Sequence, residues 1–234
     1  MIRTIVMLAF WAAMLPIAAI LSFPFALFGD IGPLYRIGTW AAFAGVSLAG
    51  VKVETVGMDR LDRNQTYIFM FNHISNIDPP IAIPLLPGRT SVMVKKELFH
   101  FPIFGKAMRL ASLVPVDRGN RDAGIAAVRE ALEVVKKGIH MCVFVEGHRS
   151  YDGKLLPFKK GPFYLAEECQ VPVVPVTISG THYVMPKGRF SIKPGLVTLI
   201  FHEPIEPAGF GTREQLMQKV RDAINRGLPP EYQS

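Results

Sequence analysis

The chain has 234 residues, half of them hydrophobic, so it can form one full-sized domain with a substantial core and a small additional element. Its formal net charge of +7 suits a protein that works on anionic lipid surfaces or anionic substrates. The lysines and arginines are scattered and no nucleic-acid-binding motif accompanies them, so we expect no nucleic-acid partner. Cys142 and Cys169 lack metal-binding spacing and are expected to be reduced core residues of a domain that faces the cytoplasm.

The N-terminal part of the chain is strongly apolar. Residues 4–28 and 37–51 contain no charged side chain, and residues 29–33 between them have a turn sequence. This pattern predicts a membrane-associating helical hairpin over residues 1–51, followed by a second domain over residues 52–234. The first run is too long for the apolar part of a signal peptide. It has the length of about 20 residues needed to cross a bilayer, but the second run is shorter, so a spanning hairpin and one lying in a single leaflet both stay open.

From residue 52 onward, short apolar runs alternate with helical patterns. This alternation predicts an α/β fold with a mostly parallel or mixed central sheet flanked by helices. Several runs are continuously apolar, which predicts that both faces of the sheet are covered. The predicted strands are residues 66–71, 90–94, 113–116, 141–145, 173–178 and 196–201.

Two helices of this domain are clear from the sequence. Apolar residues at helical spacing predict one over residues 121–137, with Gly138 as its stop. The second is predicted over residues 213–225, where Thr212 and Gln215 have the spacing of a capping box.

Residues 67–80, with the sequence YIFMFNHISNIDPP, carry the first group that could do chemistry. They predict a buried strand, a turn, and a helix that Asp78 caps, with Pro79 at its first position. Residues five apart point to different sides of a regular helix, so a turn must bring His73 and Asp78 together. A carboxylate that holds one ring nitrogen of a histidine fixes its tautomer, and the imidazole can then take a proton from a hydroxyl.

Three further charged loops follow predicted strands. They are the lysine pair at residues 95–96, the dipeptide Asp117-Arg118, and residues 146–150 with the sequence EGHRS. If the strands are parallel, these loops and the His73 turn meet at one edge of the sheet, where open α/β sheets place their ligands. Such an edge would suit an anionic substrate with a reactive hydroxyl.

Four of these segments, in this order, resemble the motifs of the glycerolipid acyltransferases. They are NHISNID at residues 72–78, the segment 95–118, EGHRS at residues 146–150, and VPVVP at residues 171–175. The resemblance covers roughly residues 50–205, and it is greatest to the branch that acylates 1-acyl-glycerol-3-phosphate to phosphatidic acid.

The resemblance implies a role for each matching residue. His73 would be the general base and Asp78 would orient it, and the glycerol phosphate would be bound by Arg118, Glu146, Gly147 and Arg149. Lys96 is a candidate donor to the developing oxyanion. The implied partners are lysophosphatidic acid, a membrane lipid surface, and the thioester of acyl-CoA or acyl carrier protein as co-substrate, with no metal and no other cofactor.

The third motif departs from the family pattern FPEGTRS. Val145 stands where the family has proline, and His148 stands where it has threonine. The acid, glycine and arginine are retained, so phosphate binding is still expected. The shape of the loop and the preference for an acceptor are left open by these two changes.

Parts of the sequence are also compatible with other functions. Glycerol-3-phosphate or another lysophospholipid could be the acceptor, and a lipid-binding relative without turnover is a non-enzymatic alternative that the retained His73 and Asp78 argue against. A metal hydrolase would use His73, Asp78, Glu146 and His148, but no HExxH motif is present and nearby cations would repel a metal. Ser75 and Ser150 lack the GxSxG context of a serine hydrolase.

Overall fold

The computed structural model describes residues 1–27, 30–117 and 121–233. Its helices are α1 (Ile2–Leu27), α2 (Gly32–Leu48), α3 (Asp78–Ala82), α4 (Pro102–Leu110), α5 (Arg121–Lys136), α6 (Gly161–Cys169), α7 (Thr181–Val184) and α8 (Arg213–Gly227). Its strands are β1 (Val51–Val56), β2 (Ile68–Phe71), β3 (Thr90–Lys95), β4 (Val114–Val116), β5 (His140–Phe144), β6 (Val173–Ser179) and β7 (Gly195–Phe201).

The seven strands form a single mixed sheet in the order β1-β7-β6-β2-β5-β3-β4. The five strands from β6 to β4 are parallel to one another. Strand β7 pairs antiparallel with β6, and β1 pairs parallel with β7, so these two strands run the other way. The predicted fold class, a mostly parallel or mixed sheet flanked by helices, is confirmed.

Helices cover both faces of the sheet, as the continuous apolar runs predicted. Alternate residues of the fully buried strand β2 point to opposite faces. Phe69 and Phe71 belong to the core under α2, α3 and α7, whereas Ile68 and Met70 belong to the core under α5, α6 and α8. A strand enclosed in this way has no polar face, which explains its unbroken apolar sequence.

The two helices that the sequence made clear are present. Helix α5 ends one residue before its predicted end at 137, and α8 continues two residues beyond its predicted end at 225. Helix α5 ends at Lys136, and Gly138 follows with φ +76°, a left-handed conformation that glycine adopts at little cost. Before α8, the Thr212 hydroxyl accepts from the Gln215 N–H while the Gln215 side chain accepts from the Thr212 N–H. The predicted capping box is therefore confirmed.

Strand β1 was not predicted, because it directly follows the second uncharged run. That run was expected to continue to residue 51, but α2 ends at Leu48. Gly50, with φ +88°, turns the chain, and Val51 begins the strand. Pairing with β7, whose residues lie far along the chain, is what makes this segment extended.

The two N-terminal helices pack against each other and against the sheet domain. The Trp11 indole N–H donates to the Ala41 carbonyl at 3.0 Å, and the Thr90 N–H donates to the Tyr35 hydroxyl at 2.9 Å. Met7 and Val46 are part of the same hydrophobic core as β2. The base of the hairpin is thus built into the core of the α/β domain.

Much of α1 remains exposed. Its accessible apolar side chains include Ile2, Ile5, Leu8, Ile20, Leu21 and Phe25. Within residues 1–27, 30–117 and 121–233, no helix combines the length and the apolar character that crossing a membrane requires.

Candidate active site

The charged loops that the sequence singled out meet at one edge of the sheet. Strands β2, β5, β3 and β4 are adjacent and parallel, so their carboxyl ends lie side by side. The turn after β2 carries His73, and the loop after β5 carries Glu146. The strands are parallel, as the expected clustering of these loops required, so the His73 turn and the Glu146 loop lie where open α/β sheets bind ligands.

His73 and Asp78 are in direct contact. The His73 Nδ1 lies 2.7 Å from the Asp78 Oδ2, which also accepts from the N–H groups of Ile74 and Ser75 at 2.7 Å each. A carboxylate oxygen that already accepts from two backbone N–H groups also accepts from the N–H of Nδ1. The lone pair of Nε2 is then left to accept a proton. The Asp78 side chain is fully buried, whereas 11% of the His73 side chain is exposed.

Asp78 differs from the prediction in one respect, because it does not cap its helix. Ile77 occupies the N-cap position, and Asp78, not Pro79 as predicted, is the first residue of α3. The Asp78 carboxylate instead reaches back to the preceding turn, whose two N–H groups converge on it. Its Oδ1 is buried and has no hydrogen-bond partner in the described part of the chain.

Two polar side chains of the His73 turn, whose roles the sequence did not reveal, fasten it to the rest of the sheet. Asn72 donates to the Ile178 carbonyl at 2.9 Å and accepts from the Ile178 N–H at 2.8 Å, which ties the turn to β6. The Ser75 hydroxyl donates to the Met185 carbonyl at 2.6 Å. Both are fully buried. Buried polar groups need hydrogen-bond partners, so the position of these two residues beside a buried strand was the signal that could have revealed their roles.

Glu146 is buried between two backbone segments. Its Oε1 accepts from the His73 N–H and its Oε2 from the Leu156 N–H, each at 2.8 Å, and only 2% of the residue is exposed. Burial raises the pKa of this carboxyl from 4.5 to about 7, although the two N–H donors act in the opposite direction. Both oxygens of Glu146 are thus engaged by the protein backbone. The contact of Glu146 with substrate stays a prediction.

The altered third motif forms a tight turn. The Val145 N–H donates to the Phe71 carbonyl at 3.0 Å, a bond that the family's proline would lack. Gly147 has φ +70°, where a side chain would be strained. The Arg149 carbonyl accepts from the Lys187 ammonium at 2.7 Å, which fixes the backbone while the Arg149 side chain stays partly exposed.

Two of the predicted cations follow neighbouring strands. Lys96 forms an ion pair with Asp117 across the ends of β3 and β4, and this contact raises the pKa of the Lys96 ammonium. Arg118, the predicted phosphate ligand, lies outside the described residues. Within the described ranges, no three His, Cys, Asp or Glu side chains are grouped in a way that could hold a metal ion.

The raised pKa of Glu146 makes the stability of the protein depend on pH. The folded state favours the protonated Glu146 carboxyl more strongly than the unfolded chain does. The stabilisation that protonation gives is therefore fully present below pH 4.5 and is lost as the pH rises through about 7. We expect the free energy of unfolding of the wild type, relative to Glu146→Gln, to fall by about 2 kcal/mol between pH 5 and pH 8. Denaturant titrations of both proteins at the two pH values measure this difference. A pH-independent difference would contradict the account of this carboxyl.

Comparisons with known proteins agree with this geometry. The model of the family "Acyltransferase" matches residues 52–179, more than half of the chain. The chain is 34% identical over 185 residues to a 1-acyl-sn-glycerol-3-phosphate acyltransferase of Limnanthes alba, covering 78% of this chain and 65% of that protein. It is also 35% identical over 133 residues to the human 1-acyl-sn-glycerol-3-phosphate acyltransferase alpha, covering 56% and 47%. The chain thus spans slightly less than two thirds of the plant relative.

A solved structure matches nearly the whole chain. It is the 1-acyl-sn-glycerophosphate (LPA) acyltransferase PlsC from Thermotoga maritima, with a TM-score of 0.78 and 31% identity over 97% of this chain and 95% of that one. A mixed α/β sheet with a histidine–aspartate pair at its carboxyl edge, together with these matches, identifies the class of the protein as that of the acyltransferases. The chain belongs to the acyltransferase family.

Proposed function

We propose that this protein transfers a fatty acyl group from an acyl thioester to the sn-2 hydroxyl of lysophosphatidic acid, giving phosphatidic acid. The observation that carries the proposal is the 2.7 Å contact between His73 Nδ1 and Asp78 Oδ2 at the carboxyl edge of the sheet. It is supported by the names of the similar proteins, which are 1-acyl-sn-glycerol-3-phosphate acyltransferases. The relative with the matching structure carries the corresponding name.

His73 acts as general base in a direct transfer. Its Nε2 takes the proton of the acceptor hydroxyl as that oxygen attacks the thioester carbonyl. The tetrahedral intermediate then collapses, the carbon–sulfur bond breaks, and the imidazolium returns the proton to the leaving thiolate. Asp78 keeps the proton on Nδ1 and stabilises the imidazolium that forms between the two steps.

The cations in the loops that follow the neighbouring strands suit a substrate with a phosphate group. Arg149 and Arg118 are proposed to bind the phosphate, because guanidinium groups make bidentate contacts with its oxygens. The Gly147 turn directly follows Glu146, whose carboxylate accepts from the His73 N–H. Lys96, or backbone N–H groups of these loops, would stabilise the oxyanion. The acyl donor is proposed to be acyl-CoA or acyl carrier protein thioester, without a metal or a further cofactor.

The N-terminal hairpin is proposed to hold the domain at a membrane surface. The proposal is supported by the exposed apolar side chains of α1, among them Ile5, Ile20 and Leu21. A lipid acceptor would then reach the site from the membrane. The domain is proposed to face the cytoplasm, in keeping with two cysteines that form no disulfide, Cys142 and Cys169.

A panel of acceptors and donors tests the proposed function. The purified full chain is given lysophosphatidic acid, glycerol-3-phosphate or lysophosphatidylcholine, each with acyl-CoA and with acyl carrier protein thioester. We expect phosphatidic acid from lysophosphatidic acid as the dominant product, with the new ester at the sn-2 position. Preferential acylation of glycerol-3-phosphate, or no transfer to any acceptor, would contradict the proposal.

A further inference from the structure

The Glu146 carboxylate joins the His73 turn to the segment around Leu156, which lies ten residues after Glu146 in the chain. One oxygen accepts from the N–H of His73, and the other accepts from the N–H of Leu156, both at 2.8 Å. The residue is almost completely buried, with 2% of its surface exposed. A carboxylate in this position is directed at the protein backbone on both sides.

The segment around Leu156 is itself firmly held. Arg221 of α8 donates to the Leu156 carbonyl at 2.9 Å and to the Leu155 carbonyl at 3.3 Å. Leu156 is therefore fixed from both sides, by Glu146 at its N–H and by Arg221 at its carbonyl. The Lys159 N–H donates to the Val145 carbonyl at 2.8 Å, which closes the segment back onto the end of β5.

The backbone of His73 is held at both of its polar groups by the same part of the chain. Its N–H donates to Glu146, and its carbonyl accepts from the Ser150 N–H at 2.8 Å. Asp78 then fixes the imidazole ring, and the Phe144 ring packs against it with the centroids 4.3 Å apart. A small displacement of the His73 backbone would move Nε2 away from the acceptor hydroxyl, and proton transfer depends steeply on such geometry.

We propose that Glu146 is a positioning residue, which sets the location of His73 by holding its backbone N–H, and that Arg221 supports it through Leu156. Glu146 is then not a ligand of the glycerol phosphate, the role that the family resemblance assigns to it. The inference rests on the proposed function, because it concerns the base of the same transfer reaction. It assigns to Arg221, which lies outside the four motifs, a part in the geometry of the site.

Glu146→Gln tests the inference with little change of shape. Glutamine offers one acceptor oxygen and one NH₂ group, so one of the two backbone N–H groups would face another donor. We expect kcat to fall by about 10²-fold, the loss that misplacement of a catalytic group produces. The KM for lysophosphatidic acid should stay within about threefold, because no contact with the acceptor is removed. Glu130→Gln, on the exposed side of α5, is the matched control and should leave kcat unchanged.

Arg221→Met removes the two donors while keeping an unbranched, flexible side chain, and it carries the test if Glu146→Gln does not fold. We expect kcat to fall by about tenfold with the same KM, since one support of the positioning contact is lost. Lys219→Met, exposed on the same helix, is its control. A rise of tenfold or more in the KM for lysophosphatidic acid with kcat unchanged, in either variant, would overturn the inference.

A measurement without substrate separates this inference from the proposed function. In protein labelled with ¹⁵N-histidine, the His73 ring resonances should shift in Glu146→Gln and in Arg221→Met, and they should match the wild type in both controls. Unchanged His73 resonances would overturn the positioning role. If the wild type failed to acylate lysophosphatidic acid, the proposed function would fail, while these resonances would still decide the role of Glu146.

Discussion

Replacing His73 by alanine should lower the rate of acyl transfer by about 10³-fold or more, because a positioned base contributes about 10² to 10⁴ in rate. The loss should lie in kcat, since the proposed mechanism has His73 contact the reacting hydroxyl and not the phosphate. The side chain is 11% exposed and rests on Phe144, so its removal leaves the core of the sheet in place. Steady-state kinetics of the purified variant, with the fold checked by circular dichroism, measure this effect.

His100→Ala provides the control for the loss of a histidine. His100 is exposed and has no assigned role in the site. We expect this variant to keep the activity of the wild type, and both variants to bind lipid vesicles like the wild type. Undiminished turnover by His73→Ala would exclude it as the base.

Asp78→Asn should lower kcat by about 10³-fold, because a neutral amide stabilises the imidazolium poorly in either orientation and holds the proton on Nδ1 of His73 in only one of them. The buried setting adds a loss of stability. If the amide oxygen replaces Oδ2, the NH₂ group occupies the place of Oδ1, which has no partner within the described residues. If the amide is reversed, its NH₂ faces the N–H groups of Ile74 and Ser75.

Either orientation leaves buried donors unsatisfied, and we expect the free energy of unfolding to fall by about 1–3 kcal/mol. Asp59→Asn, at an exposed position, serves as the control and should change neither quantity. Denaturant titration and steady-state kinetics on the same preparations measure both effects. Full activity of Asp78→Asn would show that the carboxylate does not orient the base.

The parts of the fold that depend on local sequence were predictable. The capping box of α8 and the glycine after α5 are short-range signals, and they gave the ends of these helices. The meeting of His73 with Asp78 was also predictable, because a turn between a strand and a helix brings two residues five apart together. The clustering of the loops followed from one assumption, that the strands are parallel, and the pairing of β2 with β5 bears it out.

The parts that depend on distant partners were not predictable. Strand β1 exists because it pairs with β7, about 140 residues away, and its sequence follows an apolar helix without a clear break. Asn72 and Glu146 act through backbone groups at Ile178, His73 and Leu156, and no spacing in the sequence indicates these contacts. The sequence identified Glu146 as important but could not tell a substrate ligand from a residue that holds the backbone.

The departures in the third motif are also clearer in the structure. The change from proline to Val145 adds an N–H donor, which bonds to the end of β2 beside the catalytic turn. The loop keeps its glycine in the left-handed conformation and its backbone contact to Lys187. Val145 is therefore accommodated by the fold, and His148 lies exposed on the same turn.

If His73 drives direct transfer from the thioester to lysophosphatidic acid, thiol release and phosphatidic acid formation must be coupled one to one. Purified protein is mixed with acyl thioester in the presence and in the absence of lysophosphatidic acid. We expect thiol to be released only with the acceptor, each thiol to be matched by one phosphatidic acid, and His73→Ala to give neither. Thiol released without acceptor, with the acyl group bound to the protein, or equal product from His73→Ala, would contradict direct transfer by His73.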